Sequence, residues 1–106
     1  MQQKKDRRPV HPGQVFNELV IAPQGITIKK VAEDLGVSRI TLSKVINEQS
    51  ALSLRMAHLW AMYTGTTIES WYQMQVNLDV YEYLASKGPN VDRPVVTDIV
   101  QSELEG

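Results

Sequence analysis

The sequence predicts an all-α fold of five helices, and three observations lead to this prediction. Apolar residues between positions 12 and 87 recur at the spacing of an amphipathic α-helix. Glycine and proline interrupt the pattern where helices are expected to end. No stretch of this region alternates apolar and polar residues, so we predict no β-strand in it.

Each helix has recognisable start and stop signals. Proline is tolerated in the first turn of a helix, serine and threonine cap helix N-termini, and glycine favours the left-handed conformation that ends a helix. In chain order, the predicted boundaries are Pro12 to Pro23 and Gly25, Thr27 to Gly36, Ser38 to Asn47, Ser53 to Gly65, and Thr67 or Ser70 to Gly88. The predicted apolar stripe of the first helix consists of Val15, Phe16, Leu19 and Val20.

Charge divides the 106 residues into three parts. Residues 1–10 form a short basic arm with a net charge of +3, and residues 11–88 form the nearly neutral helical domain. Residues 89–106 form an acidic tail with a net charge of −3, which we expect to be partly ordered or disordered.

Composition excludes several classes of protein. The chain has no cysteine, which rules out disulfides, thiolate catalysis and cysteine metal centres. No apolar run reaches the ~18–20 residues of a membrane span, and the N-terminus lacks the apolar stretch of a secretory signal. We therefore expect a cytoplasmic protein. The two histidines lack metal-ligand spacing and no nucleophile–base pair is evident, so we predict no metal, no cofactor and no enzymatic activity.

The second and third helices are joined by Leu35-Gly36-Val37-Ser38, a turn too short for antiparallel packing. Such a turn sets two helices at roughly 90–120°, as in a helix-turn-helix. Leu42, Val45 and Ile46 are expected to anchor the third helix. Its outward residues, the predicted base-reading set, are Arg39, Ile40, Thr41, Ser43 and Lys44. Ile40 either contacts a thymine methyl or joins the core, and we favour the first reading.

A second set of residues is expected to contact DNA phosphates. Free backbone N–H groups and lysines at the start of the second helix favour anions, and polar side chains around the third helix can bond phosphate oxygens. This set comprises Thr27, Lys29, Lys30, Ser38, Asn47, Gln49 and Ser50. Glu33 and Asp34 either turn away from DNA or partly neutralise the two lysines.

A set of residues spread over the helical domain matches a known pattern: His11-Pro12-Gly13, Ala32, Leu35-Gly36-Val37-Ser38-Arg39, Ser43, Asn47, Ala51-Leu52-Ser53, Met56-Ala57, Gly65-Thr66-Thr67, Trp71, Gln75 and Asp79. In these residues the chain resembles the HigA (VapI-like) antitoxins, which belong to the Xre, or lambda-repressor-like, helix-turn-helix class. The chain departs from the family pattern at Gln14, where glutamate is usual, at Glu48-Gln49, where Gly-Lys is usual, and at Ser70, where phenylalanine is usual. The resemblance implies a homodimer that represses its own operon and pairs with a RelE-like, messenger-cleaving toxin.

Trp60 and Trp71 are expected in the core, although Trp71 with Leu78 and Tyr81 can instead form a dimer interface. We expect the fifth helix to supply most of the dimer contact through those three residues. A dimer would read an inverted repeat in operator DNA. Two other functions stay open. One is a stand-alone Xre-family regulator without a toxin, and the other is a protein-interaction module that has lost DNA binding, which Glu48 favours.

Overall fold

Five helices follow one another in the computed structural model, which describes residues 7–87. The helices are α1 (residues 12–24), α2 (Ile28–Leu35), α3 (Arg39–Ile46), α4 (Leu54–Thr64) and α5 (Ile68–Lys87). No strand occurs within the described range, so the all-α prediction is confirmed. The acidic tail and the first six residues of the basic arm lie outside the described residues.

The capping residues hold the helix starts as predicted. The hydroxyl oxygens of Thr27, Ser38 and Ser53 each accept a hydrogen bond of 3.0 Å from the backbone N–H three residues later. At the start of α5 the capping residue is Thr67, because its Oγ1 accepts from the Ser70 N–H at 3.1 Å. The choice left open between Thr67 and Ser70 is therefore decided by hydrogen bonding.

Helix α1 ends before the left-handed Gly25 as predicted, but Pro23 does not end it, because the helix continues through Pro23 to Gln24. A wide π turn, Asn17–Ile21, precedes the proline. Proline has no N–H and its ring crowds the carbonyl of the previous turn, so a locally widened helix accommodates it. The extra residue in the turn rotates the following side chains by roughly 100°. The prediction that Leu19 faces inward is consequently wrong, since 68% of it is exposed while Ile21 is buried.

Three aromatic side chains from different helices form the centre of the core. Phe16 of α1 stacks on Trp60 of α4 with ring centroids 4.0 Å apart. Trp71 of α5 meets both rings edge-on, at 5.6 and 5.2 Å. The Trp71 indole N–H donates to Thr66 Oγ1 at 2.8 Å, which satisfies the one polar atom of that side chain.

This packing corrects the predicted dimer contact. Trp71 and Leu78 are only 5% and 2% exposed within the single subunit, so their side chains have no surface to offer a partner. Tyr81 is half-buried. The residues predicted from the sequence to form the dimer contact therefore lie on the inner face of α5, toward the core.

Helix α1 touches the backbone of α3 at Gly13. A Cβ atom at this position would lie 1.9 Å from the Val45 carbonyl oxygen and 2.9 Å from the Ile46 Cα. His11 begins the helix, since its Nδ1 accepts from the Gly13 N–H at 2.9 Å and its Nε2–H donates to the Ser50 carbonyl at 3.1 Å. His11-Pro12-Gly13 thus brings the start of α1 against both α3 and the segment that follows it.

We expect Gly13→Ala to lower the free energy of unfolding by at least about 2 kcal/mol, because the new methyl group meets rigid backbone rather than a movable side chain. Urea denaturation followed by circular dichroism measures this change. Gln14→Ala, at an exposed neighbouring position, is the control and should change stability by less than about 0.5 kcal/mol. Equal stability of the two variants would contradict the close backbone contact.

Candidate nucleic-acid interface

The turn between α2 and α3 is closed by backbone hydrogen bonds at its glycine. Gly36 has a φ of 75°, and its N–H and that of Val37 both donate to the Ala32 carbonyl, at 2.9 and 3.0 Å. Ala32 is 2% exposed, and a larger side chain would not fit at this crossing. The chain therefore leaves α2 and enters α3 within three residues, as a helix-turn-helix requires.

Helix α3 has a buried face and an exposed face, as predicted. Leu42, Val45 and Ile46 are 0%, 3% and 6% exposed and attach it to the core. The base-reading set points outward, with Arg39, Thr41 and Lys44 exposed and Ser43 half-buried. Ile40 is 63% exposed and is not a core residue. Guanidinium, ammonium, hydroxyl and methyl groups thus share one surface.

The hydroxyl groups on this surface are oriented by neighbours. Ser38 Oγ donates to Thr41 Oγ1 at 2.8 Å and accepts from the Thr41 N–H. The Ser38 hydroxyl therefore uses its hydrogen and one lone pair within the first turn of α3. Asn47 Nδ2 donates to Ser43 Oγ at 3.1 Å. Thr41 and Ser43 each receive a bond on their oxygen and keep their own hydrogen to donate. Both can therefore act as donors toward an acceptor outside the protein.

The two lysines of α2 differ in their surroundings. Lys30 Nζ lies 3.1 Å from Asp34 Oδ1, and Asp34 Oδ2 also accepts from the Tyr63 hydroxyl at 3.0 Å. The hydrogen bond from Lys30 is the main cause that lowers the pKa of Asp34, and the hydrogen bond from Tyr63 is the next. The Lys30–Asp34 bond also raises the pKa of Lys30. Lys29 has no ion-pair partner among the described residues. The positive charge at this helix start therefore comes mainly from Lys29.

A tight hydrogen-bonded motif ends α3. The Gln49 N–H donates to the Lys44 carbonyl at 2.7 Å and the Glu48 N–H to the Val45 carbonyl at 3.0 Å, which is the Schellman arrangement. Glu48 occupies the left-handed position of this motif with a φ of 63°. Asn47 and Gln49 are exposed beside it. The sequence drew attention to the charge of Glu48 but not to its backbone conformation.

Gln75 of α5 holds the end of the same segment, a role that sequence reasoning did not assign. Its side chain is 3% exposed, its Oε1 accepts from the Leu52 N–H at 2.8 Å, and its Nε2 donates to Asp79 at 2.8 Å. Two signals were available: Gln75 matches the pattern of the family that the chain resembles, and it is a polar residue on the same helix face as Trp71 and Leu78. Gln75 therefore positions the residues that follow α3.

The exposed face of α5 carries an apolar stripe, which sequence reasoning also missed. Its members, between 37% and 56% exposed, are Val76, Val80, Tyr83 and Leu84. They recur at helical spacing on the side opposite Trp71 and Leu78. Periodicity shows both faces of this helix as apolar, and only the packing of the core tells them apart.

Within residues 7–87, no group of histidine, aspartate and glutamate side chains is arranged to hold a metal ion. In the same range, no helix combines the length and the apolar character needed to cross a membrane.

Comparisons with known proteins agree with this geometry. Residues 18–71 match a family model described as helix-turn-helix. Antitoxin HigA-1 of Vibrio cholerae is 37% identical over 79 residues, which are 74% of each protein. An uncharacterized HTH-type transcriptional regulator of Haemophilus influenzae is 32% identical over 76 residues, covering 72% of this chain and 71% of the relative.

The similarity extends to three dimensions. The Pseudomonas aeruginosa antitoxin HigA, solved with the higBA promoter, has a TM-score of 0.76 and 26% identity, over 82% of this chain and 98% of that chain. The matched domain is of a non-enzymatic kind, which confirms the prediction that the chain is not an enzyme. The chain belongs to the HigA (VapI-like) antitoxin family of Xre-type helix-turn-helix proteins.

Proposed function

We propose that this protein is the antitoxin of a type II toxin–antitoxin system, binding operator DNA as a homodimer, repressing its own operon and neutralising a RelE-like toxin of the HigB type. The observation that carries DNA binding is the exposed face of α3. Arg39 and Lys44 stand there without ion-pair partners among the described residues, beside the exposed Ile40. Such a surface fits the major groove, where arginine recognises guanine and an apolar side chain contacts a thymine methyl.

Phosphate contacts on either side of α3 would set its position in the groove. Lys29 and the free N–H groups at the start of α2 favour phosphate oxygens on one side. The exposed Asn47 and Gln49 supply neutral hydrogen bonds on the other. Thr27 and Ser38 support these contacts mainly by capping α2 and α3. Ser50 supports them through its backbone carbonyl, which accepts a hydrogen bond from His11. Lys30 contributes less than Lys29, because Asp34 offsets its charge.

The dimer is proposed to form through the outer stripe of α5. Val76, Val80, Tyr83 and Leu84 leave substantial apolar surface in contact with water in the single subunit. Burying such surface favours association, and a two-fold axis would place two copies of α3 about 34–36 Å apart on one face of the duplex. The inner residue Tyr81 can lie at the edge of this contact.

The toxin partner is supported by relatives named as HigA antitoxins. The alternative, a stand-alone Xre-family regulator, is supported by the Haemophilus influenzae relative, which is named only as a transcriptional regulator. A reading frame for a small basic protein directly upstream of the gene would separate the two functions.

We expect Arg39→Ala to weaken operator binding by about 10-fold to 100-fold and to relax base preference at one base pair in each half-site. The reason is the loss of a bidentate guanidinium–guanine pair, worth ~1–3 kcal/mol of discrimination. Gel-shift titrations on the DNA upstream of the gene and on random DNA measure both effects. Because Arg39 is exposed, the melting temperature should stay within a few degrees of wild type.

The matched control for Arg39→Ala is Lys29→Ala. This variant should weaken binding to operator and random DNA alike and reduce the salt slope by ~1 per subunit. Lys30→Ala should have a smaller effect on the slope, because the wild-type charge is paired with Asp34. Equal losses on operator and random DNA for Arg39→Ala would remove Arg39 from the base-reading role.

We expect Val80→Asp with Leu84→Asp to yield a monomer at tens of micromolar, because two buried carboxylates per subunit would oppose the apolar contact. Light scattering measures the mass, and circular dichroism should show an unchanged helix content since both positions are exposed. Ala85→Asp, an exposed position on the other side of the same helix end, is the control and should remain dimeric. A wild-type monomer that binds its operator would contradict the proposed dimer.

Neutralisation is expected to come from the folded domain. The acidic tail has few apolar anchors, so it can cover at most one short groove on a basic partner. A chain ending at Gly88 should therefore still bind the operator and still restore growth when the upstream toxin is expressed. Growth curves with full-length and shortened chains measure this. Loss of rescue with DNA binding intact would assign toxin binding to the tail instead.

A further inference from the structure

Glu48 stands in a backbone conformation that glycine fills elsewhere in the fold. The chain adopts the left-handed conformation at the ends of α1, α2 and α4, and in each case the residue is glycine, at Gly25, Gly36 and Gly65. At the end of α3 the left-handed residue is Glu48, the one non-glycine residue with positive φ within residues 7–87. A side chain with a Cβ is disfavoured there.

The charge of Glu48 is also unfavourable for stability. A carboxylate close to the C-terminus of a helix meets the negative end of the helix dipole. Glu48 lines a cleft of about 190 Å³ together with two further acids, Asp79 and Glu82. Arg8, the cation of this cleft, pairs with Glu82 at 2.6 Å. Glu48 itself has no ion pair among the described residues.

Both the left-handed backbone of Glu48 and its negative charge lower stability. Strained residues of this kind are concentrated at functional sites, so we consider a role in binding. Glu48 lies between Asn47 and Gln49, both exposed and both among the residues proposed to contact phosphate. We propose that Glu48 limits the affinity of this protein for DNA, because its carboxylate is held next to the phosphate backbone that the flanking residues contact. This inference rests on the proposed DNA-binding function and concerns how strongly that surface binds.

The size of the effect follows from electrostatics in water. A carboxylate about 10 Å from a phosphate repels it weakly, but several phosphates lie within a Debye length and the dimer carries two copies of Glu48. Removing the charge should therefore tighten binding by roughly threefold to tenfold at low salt. The gain should shrink as salt rises, and it should be the same on operator and random DNA because no base contact changes.

The experiment compares three substitutions that separate charge from backbone strain. Glu48→Ala removes the charge and keeps the strain, Glu48→Gly removes both, and Glu48→Asp keeps the charge. We expect Ala and Gly to tighten DNA binding equally and Asp to bind like wild type. Gly should raise the melting temperature by roughly 4 °C or more, because it relieves both the backbone strain and the charge, and Ala should raise it far less, because it relieves only the charge. Gel-shift titrations across a salt series and thermal melts of the full-length protein provide both readouts.

Glu69→Ala is the control for a general change of net charge, because Glu69 is an exposed acid in the first turn of α5. It should tighten binding far less than Glu48→Ala. Unchanged or weaker binding by Glu48→Ala, with wild-type binding intact, overturns the inference, and weaker binding would indicate that the carboxylate accepts a hydrogen bond from DNA. If neither wild type nor Glu48→Ala binds operator or random DNA, the proposed function falls and the inference with it.

Discussion

The contact between the backbones of α1 and α3 at Gly13 is the constraint on which the placement of α3 depends. With no side chain at Gly13, the first turn of α1 lies directly on the Val45 carbonyl. Helices packed through side chains usually stand 8–10 Å apart and can shift as those side chains change rotamer. A backbone-to-backbone contact permits far less movement. The first turn of α1, which contacts the buried side of α3, therefore fixes the orientation of the exposed face of α3.

Two buried polar side chains extend this control to the segment that follows α3. His11 donates to the Ser50 carbonyl from one side, and Gln75 accepts from the Leu52 N–H on the other. Both side chains are almost fully buried, so the loss of either bond would leave polar groups without water to replace it. This explains why a histidine and a glutamine, far apart in the chain, belong to the same functional unit. They hold a loop whose own sequence is polar and has few apolar anchors.

The electrostatics of the domain point to moderate rather than indiscriminate attraction to DNA. Residues 11–88 have a net charge of −1. The Lys30–Asp34 pair and the Glu48 carboxylate reduce the positive charge next to the exposed face of α3 further. With a weak general attraction, the proposed recognition of DNA would depend on base contacts from α3 and on the combined binding of two subunits. Under the proposed function, we expect shape and base contacts to contribute more than net charge to the preference for the operator over other DNA.

The sequence by itself determined most of the helix boundaries, the helix-turn-helix and the family, because the signals for them lie within short stretches of the chain. Capping by Thr27, Ser38 and Ser53 and the left-handed glycines act within a few residues of their own position, so their pattern can be read without the fold. The outward face of α3 was also predictable, since the burial of Leu42, Val45 and Ile46 leaves only one face for the polar residues.

Only the tertiary structure decided which of two apolar faces is covered and which of two neighbouring charges is free. Trp71 and Leu78 are buried in the core because Phe16 and Trp60 lie against that side of α5. The periodicity of α5 does not show which of its two apolar faces these aromatic residues cover. Lys30 is paired because Tyr63, from another helix, fixes Asp34 beside it. The π turn of α1 likewise exposes Leu19 through a rotation that helical spacing does not predict. For α5 and for Lys30 the deciding contact joins residues distant in the chain, and a pattern along one helix cannot show its neighbours.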